Sequence, residues 1–176
     1  MKIRDGFVSN SSSTAFTFIF KGNPKVDLPA LILKYRKHFD LVYDEEEGWV
    51  CSPTEVADAL EKQLNEPYEE YRDHPKVQTV DEVIRETERS IESWKKYREE
   101  NGNEDGWYNS WIDEETEHKE KLEKAKERGL DIVVLAWFGD HDGPWAYTGL
   151  GYAMDYEGRY IDIDEEDFVV FTEQNR

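Results

Sequence analysis

Apolar residues recur along this chain at two periods, and the change from one to the other marks out its elements. In residues 14–20, TAFTFIF, Phe16, Phe18 and Phe20 alternate with Thr17 and Ile19. Both faces are apolar, which predicts a strand internal to a sheet. Residues 131–156, DIVVLAWFGDHDGPWAYTGLGYAMDY, hold the longest apolar run, with Trp137, Phe138 and Trp145 close by. We read this stretch as two central strands, 132–138 and 145–156, joined by the loop 139–144. Strands at 159–163 and 167–172 extend it into a meander. Glu157-Gly158 makes a tight hairpin whose glycine takes a positive φ, and Asp164-Glu165-Glu166 is the last turn.

Elsewhere the period lengthens to that of a helix. Residues 27–39 place Leu28, Leu31, Ile32 and Tyr35 on one stripe, with Phe39 one turn on. Asp27 is the expected cap, Pro29 falls in the first turn, and Lys34, Arg36 and Lys37 sit at the negative end. His38, in the last turn, reads as a charge partner for that end. Residues 40–43 and 49–51 are short strand candidates around the acidic turn 44–48. Ser52 and Glu55 form a capping box that opens a helix to about residue 65, with Val56, Ala57, Leu60 and Leu64 inward. Residues 66–75 are a polar connection.

A second capping box, Thr79 with Glu82, opens a helix from Val80 to about Glu99. Val80, Val83, Ile84, Thr87, Ile91 and Trp94 share one face. Asp81 with Arg85 and Glu92 with Lys96 are spaced to pair four residues apart. After the loop 101–106 comes a helix over 110–128, ending at Gly129, with a thin stripe of Trp111, Ile112, Leu122 and Ala125. Its expected pairs are Glu115 with Lys119, Glu117 with Lys121 and Glu120 with Lys124. So thin a stripe predicts light burial and a hairpin able to project from the body. Taken together, the elements predict an α+β fold forming a single domain over residues 1–176. One antiparallel sheet of about five strands, six if 41–43 joins it, packs on the helices 27–39 and 53–65. A helical hairpin, 80–128, is inserted before the C-terminal meander.

Charge adds what periodicity cannot. The 176 residues hold 41 acids and 22 bases, a net charge of −19, which repels nucleic acid and anionic membrane and favours basic partners. An aromatic share of 14% argues against disorder. The imbalance is uneven: residues 44–73 carry 11 acids and 2 bases, residues 131–173 carry 11 acids and 1 base, and residues 1–43 are basic. A single cysteine, Cys51, excludes an internal disulfide and a multi-thiolate zinc site, and it fits a reducing compartment. No apolar run approaches the roughly 18 residues of a membrane span, and the N-terminus lacks a signal-peptide core. Cytoplasmic location is therefore expected.

The N-terminus carries a distinctive word. Gly6-Phe7-Val8-Ser9-Asn10-Ser11-Ser12-Ser13, leading into the strand at Phe16, resembles an N-terminal motif of uncharacterised bacteriophage and bacterial proteins. In those proteins the serine run is longer and meets the phenylalanine directly, whereas here Thr14 and Ala15 intervene. The resemblance implies a phage or prophage setting and transfers no catalytic residue. The serines otherwise read as an ordered lead-in whose hydroxyls bond local backbone.

Candidate chemistry is sparse. Asp140, His141 and Asp142 offer two carboxylates and an imidazole in one loop, a donor set suited to a divalent ion, although Asp and Gly also populate such turns for geometric reasons. An EF-hand register around Asp155–Gly158 would begin at Ala153, which has no ligand, and residues 114–118 lack the second histidine of a zincin helix. No catalytic residues and no cofactor are implied. The leading expectation is a non-enzymatic, acidic, phage-type accessory protein that binds a basic host protein, itself of the kind that binds nucleic acid, and imitates the charge of that acid. Its interaction surface is expected at Asp44, Glu45, Glu46, Glu47, Trp49, Glu69 and Glu70, with Asp162, Asp164, Glu165, Glu166 and Asp167. The alternatives are a metal-dependent enzyme or metal-stabilised domain using Asp140, His141 and Asp142, and a self-assembling protein using the 80–128 hairpin.

Overall fold

A computed structural model describes residues 13–39, 41–42, 50–65, 75–102, 106–139 and 161–173. The elements are β1 (Ser13–Phe20), α1 (Pro24–Lys34), a short 3-10 turn (Arg36–His38), β2 (Leu41–Val42), β3 (Val50–Cys51), α2 (Pro53–Asn65), β4 (Lys76–Thr79), α3 (Val80–Asn101), α4 (Trp107–Glu127), β5 (Ile132–Gly139), β6 (Asp162–Glu165) and β7 (Phe168–Glu173). The fold is α+β. Five strands form one antiparallel sheet in the order β4-β5-β1-β7-β6, while β2 and β3 pair apart as a two-stranded sheet.

Among the described residues the sheet is centred on β1, with β5 beside it, while the strand expected at 145–156 and the hairpin at Glu157-Gly158 lie outside the described residues. Phe18 faces Val134 of β5 on one side and Val170 of β7 on the other. This is why both faces of β1 are apolar: the strand has neighbours on both edges and helices over both faces. Phe16, Phe18 and Phe20 point into the first core with Val134, Ala136, Ile163, Phe168 and Val170, closed by Leu28 and Ile32 of α1 and by Val56, Leu60 and Leu64 of α2. Phe168 collects the rings, with centroids 6.3 Å from Phe18, 5.6 Å from Tyr35 and 6.5 Å from Phe39. Side chains of this size contribute about 1.5–3 kcal/mol each when fully buried.

On the opposite face Ile19, Val133, Val169 and Phe171 meet Val80 of α3 and Leu122 and Ala125 of α4. The hairpin is therefore a layer of the fold along its proximal half, not a lightly buried appendage. Its stripe is thin because each helix closes only part of that face. Leu122 and Ala125 are fully buried all the same.

Local signals place the helix ends. In α2, Ser52 Oγ accepts from the Glu55 backbone and Glu55 accepts from the Ser52 backbone. In α3, Thr79 and Glu82 make the same reciprocal pair. At its other end α4 is stopped by Gly129 at φ 81°, where Leu130 donates to Ala125 and Gly129 to Lys126, a Schellman arrangement that buries Leu130. Three expectations shift. The cap of α1 is Asn23, whose side chain accepts from the Lys25 N–H; Asp27 lies within the helix and accepts from the Asn23 backbone. Pro29 consequently sits beyond the first turn. Asp164 and Glu165 belong to β6, so the last turn falls at residues 166–167. In addition Lys76–Thr79, between the expected connection 66–75 and the helix and assigned no strand from the sequence, form β4, paired with β5.

Candidate interaction surface

The C-terminal acids expected to face a partner are engaged within the chain. Asp162 lies 3.8 Å from Lys121 and Asp164 2.5 Å from Arg128, both on the α4 side. Arg128 also donates to the Glu165 carbonyl at 3.1 Å. On the α1 side Lys34 meets Asp167 at 2.5 Å, the Tyr35 hydroxyl donates to the same carboxylate, and Lys37 stands 3.9 Å from Glu165. Only Glu166 of the five makes no ion pair among the described residues. The β6–β7 turn thus staples the two helical layers together across the end of the sheet.

Protonation follows these contacts. The Arg128 guanidinium holds Asp164 below the usual carboxylate range, and Lys34 and then Tyr35 do the same for Asp167. The Asp167 carboxylate in turn raises Lys34, and it raises Tyr35 by accepting a hydrogen bond from the phenolic hydroxyl. All these groups are at the surface, where water screens them. The remaining expected positions, Asp44, Glu45, Glu46, Glu47, Trp49, Glu69 and Glu70, lie outside the described residues. So do Phe7, Val8, Ser9, Asn10, Ser11 and Ser12 of the N-terminal word, and Asp140, His141 and Asp142. Ser13 opens β1, its backbone opposite Gly139. Among the described residues no group of three or more His, Cys, Asp or Glu side chains is placed to hold a metal ion. No described helix is long and apolar enough to cross a membrane. His38 was expected to serve the helix end; its Nε2 is buried without a hydrogen-bond partner among the described residues.

Ion pairing in the hairpin also departs from the four-residue spacing. Lys119 reaches Glu88 of α3 at 2.9 Å and Glu123 at 3.4 Å, and the carboxylate of Glu115 accepts instead from Ser90 at 3.0 Å. Lys126 pairs with Asp81 at 2.6 Å in place of Arg85, and Glu92 with Lys95 at 2.9 Å in place of Lys96, which turns to Glu100. An i,i+4 pair contributes only about 0.2–0.5 kcal/mol, so a better-placed carboxylate on a neighbouring element displaces it.

This rearrangement leaves a ridge. With Lys121 drawn to Asp162, exposed Asp113, Glu117, Glu120 and Glu127 make no ion pair among the described residues. Their spacing of four, three and seven places them along the outer face of α4, the side opposite buried Leu122, over about 21 Å at 1.5 Å per residue, and exposed Lys124 stands on the same face between Glu120 and Glu127. The outer face of α3 is different: Arg85 and Arg89 are exposed beside Glu88 and Glu92, line a shallow open groove, and are likewise without an ion pair among the described residues.

At the far end of the hairpin the filling is aromatic. Trp94 packs on Trp111 with centroids 4.6 Å apart, Tyr97 and Tyr108 lie within 6.3 Å of Trp94, and Trp107, 62% exposed, stands 6.2 Å from Trp111. The acid stripe at helical spacing was present in the sequence. There Lys121 and Lys124, four residues beyond Glu117 and Glu120, give those two acids expected partners and hide the stripe. No family model, curated protein or solved structure matches the chain.

Proposed function

We propose that this protein is a non-enzymatic binding protein that engages a basic surface on another protein, in a phage or prophage setting where that partner belongs to the host. The observation that carries the reading is the α4 ridge: four exposed carboxylates against one lysine, Lys124, on one helix face, the carboxylates without an ion pair among the described residues. A net charge of −19 supports it by steering a cationic partner toward such a ridge. The phage setting is supported by the Gly6–Ser13 word alone.

Spacing bears on the kind of partner contact. The ridge offers a charge every 4.5–6 Å or so where residues are three or four apart. A duplex strand offers one about every 3.4 Å. The ridge is thus sparser than a nucleic-acid backbone, which favours protein–protein pairing over close imitation of DNA. The test is capture of host proteins by the wild type and by D113N/E117Q/E120Q/E127Q, at low and moderate salt. The expected result is a basic partner held by the wild type at low salt, lost as salt rises and lost by the variant. Equal capture by the variant removes the ridge from this role.

A further inference from the structure

The far end of the hairpin carries more aromatic surface than its own packing covers. Five rings, Trp94, Tyr97, Trp107, Tyr108 and Trp111, fall within residues 92–114. Trp94 and Trp111 close on each other, but Trp107 is left 62% exposed, edge-on to Trp111 at 63°. It is the largest apolar side chain exposed among the described residues, beside Val26, Leu33 and Val77. Trp107, Ser110, Trp111 and Glu114 follow one another at three- and four-residue steps and so share one face of α4. The Ser110 hydroxyl donates to the Glu114 carboxylate at 3.1 Å, and exposed Glu114 makes no ion pair among the described residues. The cations of this end are engaged elsewhere: Lys95 with Glu92, Lys96 with Glu100, and Arg98 with Asn109. Asn109 is two residues from Trp107, so Arg98 lies on the other side of the helix. Lysine stands over a ring at Tyr35 and at Phe171, and not at Trp107.

An open indole face attracts a cation through the ring quadrupole, more strongly in Trp than in Tyr or Phe, and a guanidinium adds planar stacking to that attraction. The charge of the surroundings selects the same occupant. Residues 92–114 hold seven acids and three bases, which sets a second copy of this end, or a nucleic-acid base, at a disadvantage. We infer that Trp107 anchors a basic segment of a partner protein, with an arginine over its exposed indole face and a second cation of the same segment at Glu114, about 10 Å further along the helix. Exposed tryptophan is the side chain that most often dominates the energy of such contacts. The inference rests on the reading of this protein as a binder of a basic surface. It adds an aromatic anchor at the end of α4 where the ridge begins, on a different face from the ridge itself.

Titration with an oligo-arginine peptide at low salt tests it, followed through the indole N–H resonance of Trp107, which is identified by its absence from W107L. An oligo-citrulline peptide of equal length supplies the same planar side chain without charge. The Trp107 resonance is expected to shift to saturation with oligo-arginine and to stay in place with oligo-citrulline. W107L keeps an apolar side chain but no ring, and it is expected to bind oligo-arginine about two- to fivefold more weakly, the range of a cation–π contact at an exposed site. W107F is expected to fall between W107L and the wild type, and E114Q to bind more weakly with the Trp107 shift retained. Because Trp107 is exposed, each variant is expected to keep the helical circular dichroism of the wild type. Binding that leaves the Trp107 resonance unmoved, or equal affinity in W107L and the wild type, overturns the anchor. If that binding is lost in D113N/E117Q/E120Q/E127Q, the ridge stands without it. An equal shift with oligo-citrulline, or self-association of the wild type that W107L abolishes, gives the ring to another occupant and also overturns the anchor. No binding of oligo-arginine by the wild type removes both the anchor and the ridge.

Discussion

Lys126 Nζ stands 2.6 Å from Asp81 Oδ1, joining the last turn of α4 to the first turn of α3. The ammonium holds Asp81 below the ordinary carboxylate range, as Arg128 does Asp164 and Lys34 does Asp167. A carboxyl depressed in the folded state binds fewer protons there than in the unfolded chain. Its contribution is therefore present above the unfolded value, near pH 4, and is lost as pH falls through the lower folded value. Melting temperature is expected to fall as pH drops below about 4. The fall should be shallower in the D81N/D164N/D167N variant, which starts from a lower melting temperature at neutral pH. Parallel acid profiles for the two proteins would remove these pairs from the account.

Whether the hairpin is a layer or an appendage is decided at Leu122. It is fully buried against the second face of the sheet. Leu122→Ala is expected to lower the stability of the whole protein by about 2–5 kcal/mol, measured by denaturant unfolding with a single transition. Loss of helical signal ahead of the sheet, in a separate early transition, would show the hairpin to be independent.

The capping box of α3 gives a smaller effect. Thr79 accepts from the Glu82 backbone at 3.2 Å, and Thr79→Ala removes that partner from the first turn. A loss of about 1 kcal/mol is expected, with Thr79→Ser close to wild type because the hydroxyl remains. Equal losses in both variants would assign the effect to the β4 pairing of this residue instead.

Gly22 sets the entry to α1. Its φ is 127°, and a Cβ built there would lie 2.2 Å from Asp27 Oδ2, the carboxylate that accepts from Asn23. Gly22→Ala is expected to cost more than about 1 kcal/mol through backbone conformation and contact together. Adding Asp27→Ala should recover only the contact part, which a double-mutant comparison reads directly.

What the sequence by itself determined is local. Ser52 with Glu55, Thr79 with Glu82, and Gly129 mark helix ends because each cap is made between residues a few positions apart. The two apolar faces of β1 likewise follow from alternation alone, and the α+β class from the order of elements. Tertiary structure decided the rest. That β1 is central, that β4 joins β5, and that the hairpin covers the second face all depend on contacts between distant segments, which no local period encodes. The charge pattern was settled at the same level. Lys121 had a carboxylate four residues away in Glu117 and turned to Asp162, because the folded layers brought a second one within reach. Pairs worth a few tenths of a kcal/mol yield to such geometry, and so Asp162, Asp164, Glu165 and Asp167, which read as a free patch, became a staple, while Glu117 and Glu120, which read as neutralised, joined Asp113 and Glu127 on the exposed face of α4.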